Sequence, residues 1–145
     1  MVEEVQCVED WQLLAQFTQT YRTLSEAFMD RIGTHRAQAI VLYRLYAQDG
    51  MTQSEIAQQL AVQGATVTDI LQRMEEAGFV SRRRDPEDNR LVRVYITELG
   101  REKKRFIMEQ YFNLESAIFS GFKDSERAQL RQYLGRALVQ MNQLR

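Results

Sequence analysis

The sequence predicts a mainly α chain carrying one small β element, and three observations point there. Its 145 residues are 44% apolar and 27% charged with a single proline, the composition of a helix-rich globular chain. Apolar residues recur at three- and four-residue steps through most of the length. Between residues 79 and 96 that period gives way to two short strand-like runs parted by turn formers. The length suits one ordinary domain, or a compact domain with helical extensions, and is enough to bury a core.

From Trp11, the positions Trp11, Leu14, Phe17, Tyr21, Leu24 and Phe28 mark one long amphipathic helix ending near Gly33. Thr34 is placed to cap a second helix, whose Ala37, Ile40, Val41, Leu45 stripe runs to a stop at Gly50. Thr52 and Glu55 have capping-box spacing, so a short helix starts there and turns Ile56, Ala57 and Leu60 inward. The next helix follows within a few residues. Its Val67, Ile70, Leu71, Met74 and Ala77 share one face, and Thr66, Thr68, Asp69, Gln72, Arg73 and Glu76 the other, before Gly78 ends it. A short capped helix, a tight turn and a second helix with a polar outer face make a helix-turn-helix, in which the second helix enters a major groove.

"FVSRRR" and "LVRVYI" then read as strands, the second alternating Val92, Val94 and Ile96 with Leu91, Arg93 and Tyr95. "DPEDN" between them turns the chain, so the pair forms a hairpin, a wing directly behind the helix-turn-helix. The wing's tip, "RRRDPEDNR", holds four arginines and three acids. Guanidinium groups suit phosphates and narrow minor grooves. Asp88, two residues before Arg90, is placed to hydrogen-bond that guanidinium and hold it outward, or to make an Asx-type turn.

Charge is local rather than global: the net value is −1, yet residues 82 to 105 carry 9 Lys/Arg against 5 Asp/Glu, while residues 1 to 81 carry 5 against 11. No apolar run reaches membrane-spanning length, and the acidic "MVEEVQCVED" lacks the pattern of a secretory signal. One cysteine cannot form an internal disulfide, so a cytoplasmic location is expected, away from any membrane. One histidine and one cysteine supply no convincing metal site, and no nucleophile–base pair or phosphate loop suggests an enzyme. No cofactor is expected.

The run from Thr52 to Gly100 resembles the core of the MarR family of winged-helix transcriptional regulators. It carries the "E-x-A-x-x-L" of the first helix, the "M-E-x-x-G-F-V-x-R" exit from the second, the "D-x-x-D-x-R" wing and the closing "I-T-x-x-G". The fold implied is a winged helix-turn-helix, α-α-α-α-β-β-α-α, with N- and C-terminal dimerisation helices. Residues 34–100 would be the DNA-binding region, and 1–33 with 101–145 the helical dimerisation region, in one compact unit.

The resemblance implies a homodimer on a pseudo-palindromic operator, commonly a repressor relieved by a small ligand or by oxidation. Trp11 in the N-terminal helix and Leu130, Leu134 and Met141 in the C-terminal one fall in its dimer interface. The C-terminal helix supports this independently. Behind Asp124, a candidate cap, Leu130, Leu134, Ala137, Met141 and Leu144 step by four and three as in a coiled-coil seam. The helix from about Gly100 to Phe122 also bears more apolar residues than one face holds.

For double-stranded DNA the expected contacts are Thr52 and Gln53 on a phosphate through free backbone N–H groups, and Gln63, Ala65, Thr66, Thr68, Gln72 and Arg73 in the major groove. Arg84 and Arg90 should grip backbone or minor groove. Three departures from the family stand out: Gln63 replaces the usual Ser or Thr cap, Gly64 with its low helix propensity follows it, and Asp69 stands where arginine is frequent. A carboxylate there repels phosphate and could accept from cytosine. The family's effector cleft implies Tyr21, His35 and Tyr43 as lining for a small aromatic or phenolic ligand. Cys7 would be the switch in a redox-sensing alternative, though Glu3, Glu4, Glu9 and Asp10 disfavour its thiolate. A further alternative is a winged helix kept only for protein interaction, without DNA binding.

Overall fold

The structure, a computed structural model, describes residues 8–145. Its elements run α1 (Asp10–Asp30), α2 (Arg36–Ala47), β1 (Met51–Thr52), α3 (Gln53–Leu60), α4 (Gly64–Glu76), β2 (Val80–Arg84), β3 (Val92–Ile96), α5 (Glu98–Ile118) and α6 (Asp124–Gln143). The expected hairpin forms, with Val80 opposite Ile96 and Arg84 opposite Val92. It is joined by a strand that the pattern did not predict: Met51 and Thr52 pair with Val94 and Arg93, giving an antiparallel sheet in the order β1-β3-β2.

Two compact units divide the chain at Tyr111 and Phe112. In the first, Met29, Leu42, Leu45, Ile56, Leu71, Met74, Val94 and Ile107 form one buried cluster to which α1, α2, α3, α4, the sheet and the first part of α5 contribute. Each such side chain contributes on the order of 1.5–3 kcal/mol by leaving water. The buried face of α2 is turned from the expected stripe: Ala39 and Leu42 join Val41 and Leu45, whereas Ala37 and Ile40 are half-buried. On α4, Val67, Leu71 and Met74 are buried as expected, but Ala77 is exposed as the C-cap.

Two caps differ from expectation. Thr34 is buried and accepts a hydrogen bond from Lys103 Nζ at 3.4 Å, and the N-cap of α2 is His35, which makes no side-chain cap bond. At α6 the cap is Lys123, whose N–H donates to Glu126 Oε2 at 2.8 Å, leaving Asp124 as the first helical residue. In both cases a neighbour one position earlier or later took the role, within the usual uncertainty of helix ends.

The stripe on α1 points away from the chain's own core. Ser25 and Met29 are its buried residues, while Trp11 is 68% exposed and Leu14, Phe17, Tyr21 and Leu24 are exposed with it. In the second unit, α6 buries none of its residues, and Leu134, Leu138, Val139 and Met141 stand exposed. There Arg127 pairs with Glu115 and lies 5.0 Å from the Phe119 ring centre.

Candidate nucleic-acid interface

The capping box predicted for α3 is closed on both sides: Glu55 N–H donates to Thr52 Oγ1 at 3.2 Å, and Thr52 N–H donates to Glu55 Oε2 at 2.7 Å. This changes the role expected of Thr52. Its amide is occupied and its side chain is buried, so the open amides of the first turn belong to Gln53 and Ser54. Glu55 is held below its ordinary range, first by the Thr52 amide.

Ala61 ends α3 in the left-handed conformation (φ 54°, ψ 42°), and α4 starts two residues after Val62 with Gln63 as an N-cap that makes no side-chain cap bond. An open cleft of about 390 Å³ lies between the two helix starts, lined by Gln53, Ser54, Ala57, Gly64, Val67 and Thr68. On the outer face of α4, Gln63, Ala65, Thr66, Thr68, Asp69, Gln72 and Arg73 are all exposed. Several have partners four residues away on the same helix. Thr68 Oγ1 donates to Gly64 O at 2.9 Å, Gln72 Nε2 to Glu76 Oε1 at 3.1 Å, and Arg73 Nη2 lies 3.2 Å from Asp69 Oδ2.

In the wing, Asp88 does both things expected of it. Oδ1 accepts from the Arg90 amide at 3.1 Å and from its Nε at 3.0 Å, while Oδ2 accepts from Nη2 at 3.0 Å. This fork keeps the Asp88 carboxyl below its ordinary range and raises Arg90 above its own. The Arg90 side chain is nevertheless 90% exposed, so its free edge faces solvent. Arg84 Nη1 donates to Asn89 O at 2.8 Å, bracing the other side of the tip.

Asp85 is a wing residue that sequence reasoning missed. It is buried, its Oδ1 accepts from the amides of Glu87 at 2.8 Å and Asp88 at 3.0 Å, and its Oδ2 takes Arg93 Nε. Arg93 Nη1 in turn donates to Gly50 O at 2.9 Å, tying the turn to the chain entering β1. The signal was present in the Asp-Pro that opens the turn, since Asp bonds its own backbone two residues on. At the wing's root, Glu75 of α4 holds Arg82 of β2.

Of the residues expected to line an effector cleft, Tyr21 and Tyr43 are both exposed and border a third phenol, Tyr111, with Tyr43 edge-on to it at 6.1 Å. Tyr111 is pushed above its ordinary pKa, first by burial and then by Tyr21, against the opposing Arg36 guanidinium. Arg36 Nε donates to buried Ser25 Oγ at 2.9 Å. His35 is exposed at the start of α2. Leu130 is half-buried on α6, and Leu134 and Met141 are exposed there. Cys7 lies outside the described residues. Among the described residues no group of His, Cys, Asp and Glu gathers as a metal site, and no helix is long and apolar enough to cross a membrane.

Comparison with known proteins agrees with this arrangement. Residues 35–92 match the model of the MarR family. The helix-turn-helix-type transcriptional regulator YdgJ of Bacillus subtilis (strain 168) is 32% identical over 118 residues, covering 76% of this chain and 72% of its own. A MarR transcriptional regulator from Methanosarcina mazei Go1 superposes with a TM-score of 0.84 at 22% identity, over 92% of this chain and 96% of that one. The S. aureus MepR in a MepR–DNA complex gives a TM-score of 0.80 at 23% identity, over 92% and 99% of the two chains. The structural likenesses establish the fold.

Proposed function

The chain belongs to the MarR family of transcriptional regulators, and from that membership we propose that it binds duplex DNA as a homodimer and represses transcription from a pseudo-palindromic operator. The observation that carries this reading is the Asp88–Arg90 fork: a guanidinium held by both carboxylate oxygens yet 90% exposed is pre-set for a phosphate or minor-groove contact. Arg83 and Arg84 stand exposed beside that tip, and Gln53 and Ser54 add the open amides of a helix start. The exposed polar face of α4 is the major-groove reader, with Thr66, Thr68, Gln72 and Arg73 as its principal side chains. Its fold is shared with the MepR seen in a DNA complex, which supports docking of the same elements.

Dimerisation through the terminal helices is supported by the apolar stripes that they leave uncovered: Trp11, Leu14 and Phe17 on α1, and Leu134, Val139 and Met141 on α6. Release by a small aromatic or phenolic effector rests on the Tyr21, Tyr43, Tyr111 group beside Arg36. Binding of a fluorescent random-sequence duplex at low salt, followed by sedimentation of the free protein, tests the proposal. Salt-sensitive binding by a dimer is expected. A monomer that ignores duplex DNA at low salt overturns it and leaves a protein-interaction role.

A further inference from the structure

The outer face of α4 has an unusual charge for a surface that meets a polyanion. Glu75 is engaged by Arg82, so the remaining charged groups are Asp69 and Glu76 against Arg73 alone. A carboxylate in a major groove is repelled by the phosphates unless it accepts a hydrogen bond, and the groove offers donors only at the amino groups of cytosine and adenine. Asp69 is moreover not independent. Its Oδ2 lies 3.2 Å from Arg73 Nη2, and both side chains stay mostly exposed, at 60% and 66%.

From this pair we infer that Asp69 and Arg73 act as one reading unit for a G·C-containing step. Arg73 donates through its fork to guanine N7 and O6, and Asp69 holds the fork in place while accepting from the amino group of the cytosine paired with that guanine. Guanine is selected because it shows two neighbouring acceptors; adenine would set its own amino donor against a guanidinium N–H. The same carboxylate keeps Arg73 from turning to phosphate, so the sequence-indifferent part of binding falls to the wing arginines. This inference rests on the DNA-binding reading above.

The test is selection from a randomised duplex library by the full-length protein, followed by titration of single-base variants of the selected duplex with wild type, Asp69→Ala, Asp69→Asn, Arg73→Ala and the Asp69→Ala/Arg73→Ala pair. Wild type should prefer G·C at one position of each half-site by about tenfold or more. Both single alanine variants should erase that preference at the same position, and the pair should erase no more than either alone. Asp69→Ala and Asp69→Asn should each bind random duplex roughly three- to tenfold more tightly at low salt. Unaltered base preference in Asp69→Ala, or effects of the two residues at separate positions, overturns the inference while the DNA-binding reading stands. A wild-type protein that neither enriches a sequence nor binds random duplex overturns both. All variants change exposed side chains, so matching thermal midpoints will show that folding is intact.

Discussion

Glu75 clasps Arg82 with both carboxylate oxygens: Oε1 accepts the Arg82 amide at 2.9 Å, and Oε2 accepts Nε at 3.0 Å and Nη2 at 2.9 Å. The bond joins the last turn of α4 to the third residue of β2, and therefore sets how the hairpin leaves that helix. Glu75→Ala should lower unfolding free energy by about 1–2 kcal/mol, the range for a part-exposed charge-assisted fork. Operator affinity should fall further than stability alone explains, because the wing loses its bearing. Denaturant titration beside a binding isotherm separates the two; equal affinity in the variant would show that the clasp is only structural.

Gly100 occupies a place where a side chain cannot go. A Cβ there would stand 2.3 Å from Phe79 O and 2.8 Å from Ile96 Cγ1, and Tyr46 already donates to Gly100 O at 2.8 Å. Gly100→Ala gains up to about 1 kcal/mol of helix propensity, which the forced backbone shift of roughly 1–3 kcal/mol outweighs. Net destabilisation is expected in a urea melt. Gly64→Ala, which meets nothing within 4 Å, should show none.

The wing and its root should loosen in acid. Asp85 is held below its ordinary range first by Arg93, Asp88 first by Arg90, Glu75 first by the Arg82 amide, and Glu55 first by the Thr52 amide. In the unfolded chain these groups titrate at about pH 4. Their stabilisation is therefore full above that value and is lost as pH falls through the lower folded values. Asp85→Asn should flatten the decline of stability between pH 5 and 2, roughly the window over which such groups act. A decline as steep as in wild type would remove Asp85 from the account.

Arg90→Ala should weaken duplex binding and reduce the slope of log affinity against log salt by roughly one unit. The change leaves the turn intact, because Asp85 still holds the Glu87 and Asp88 amides. An identical slope would place Arg90 away from the phosphates.

How much of this was legible in the residues depended on how local the determinant was. Thr52 and Glu55 sit three apart and cap one helix, so spacing sufficed. The same holds for Asp88 and Arg90. Asp85 with Arg93, Glu75 with Arg82 and Tyr46 with Gly100 meet only once the fold is closed, and no pattern in a single segment points to them. A two-residue strand such as Met51–Thr52 is too short for any periodicity to register. The apolar stripe of α1 was visible, yet amphipathicity reports that a face is covered and is silent on what covers it.

The bare α6 carries a cost that lies in mass action. Twenty helical residues with no buried side chain are marginal in water by themselves. If association is what holds this segment, apparent stability must rise with protein concentration, by RT times the logarithm of the fold increase, and the thermal midpoint must climb with it. The concentration of such a chain then governs how much of its C-terminal helix is intact.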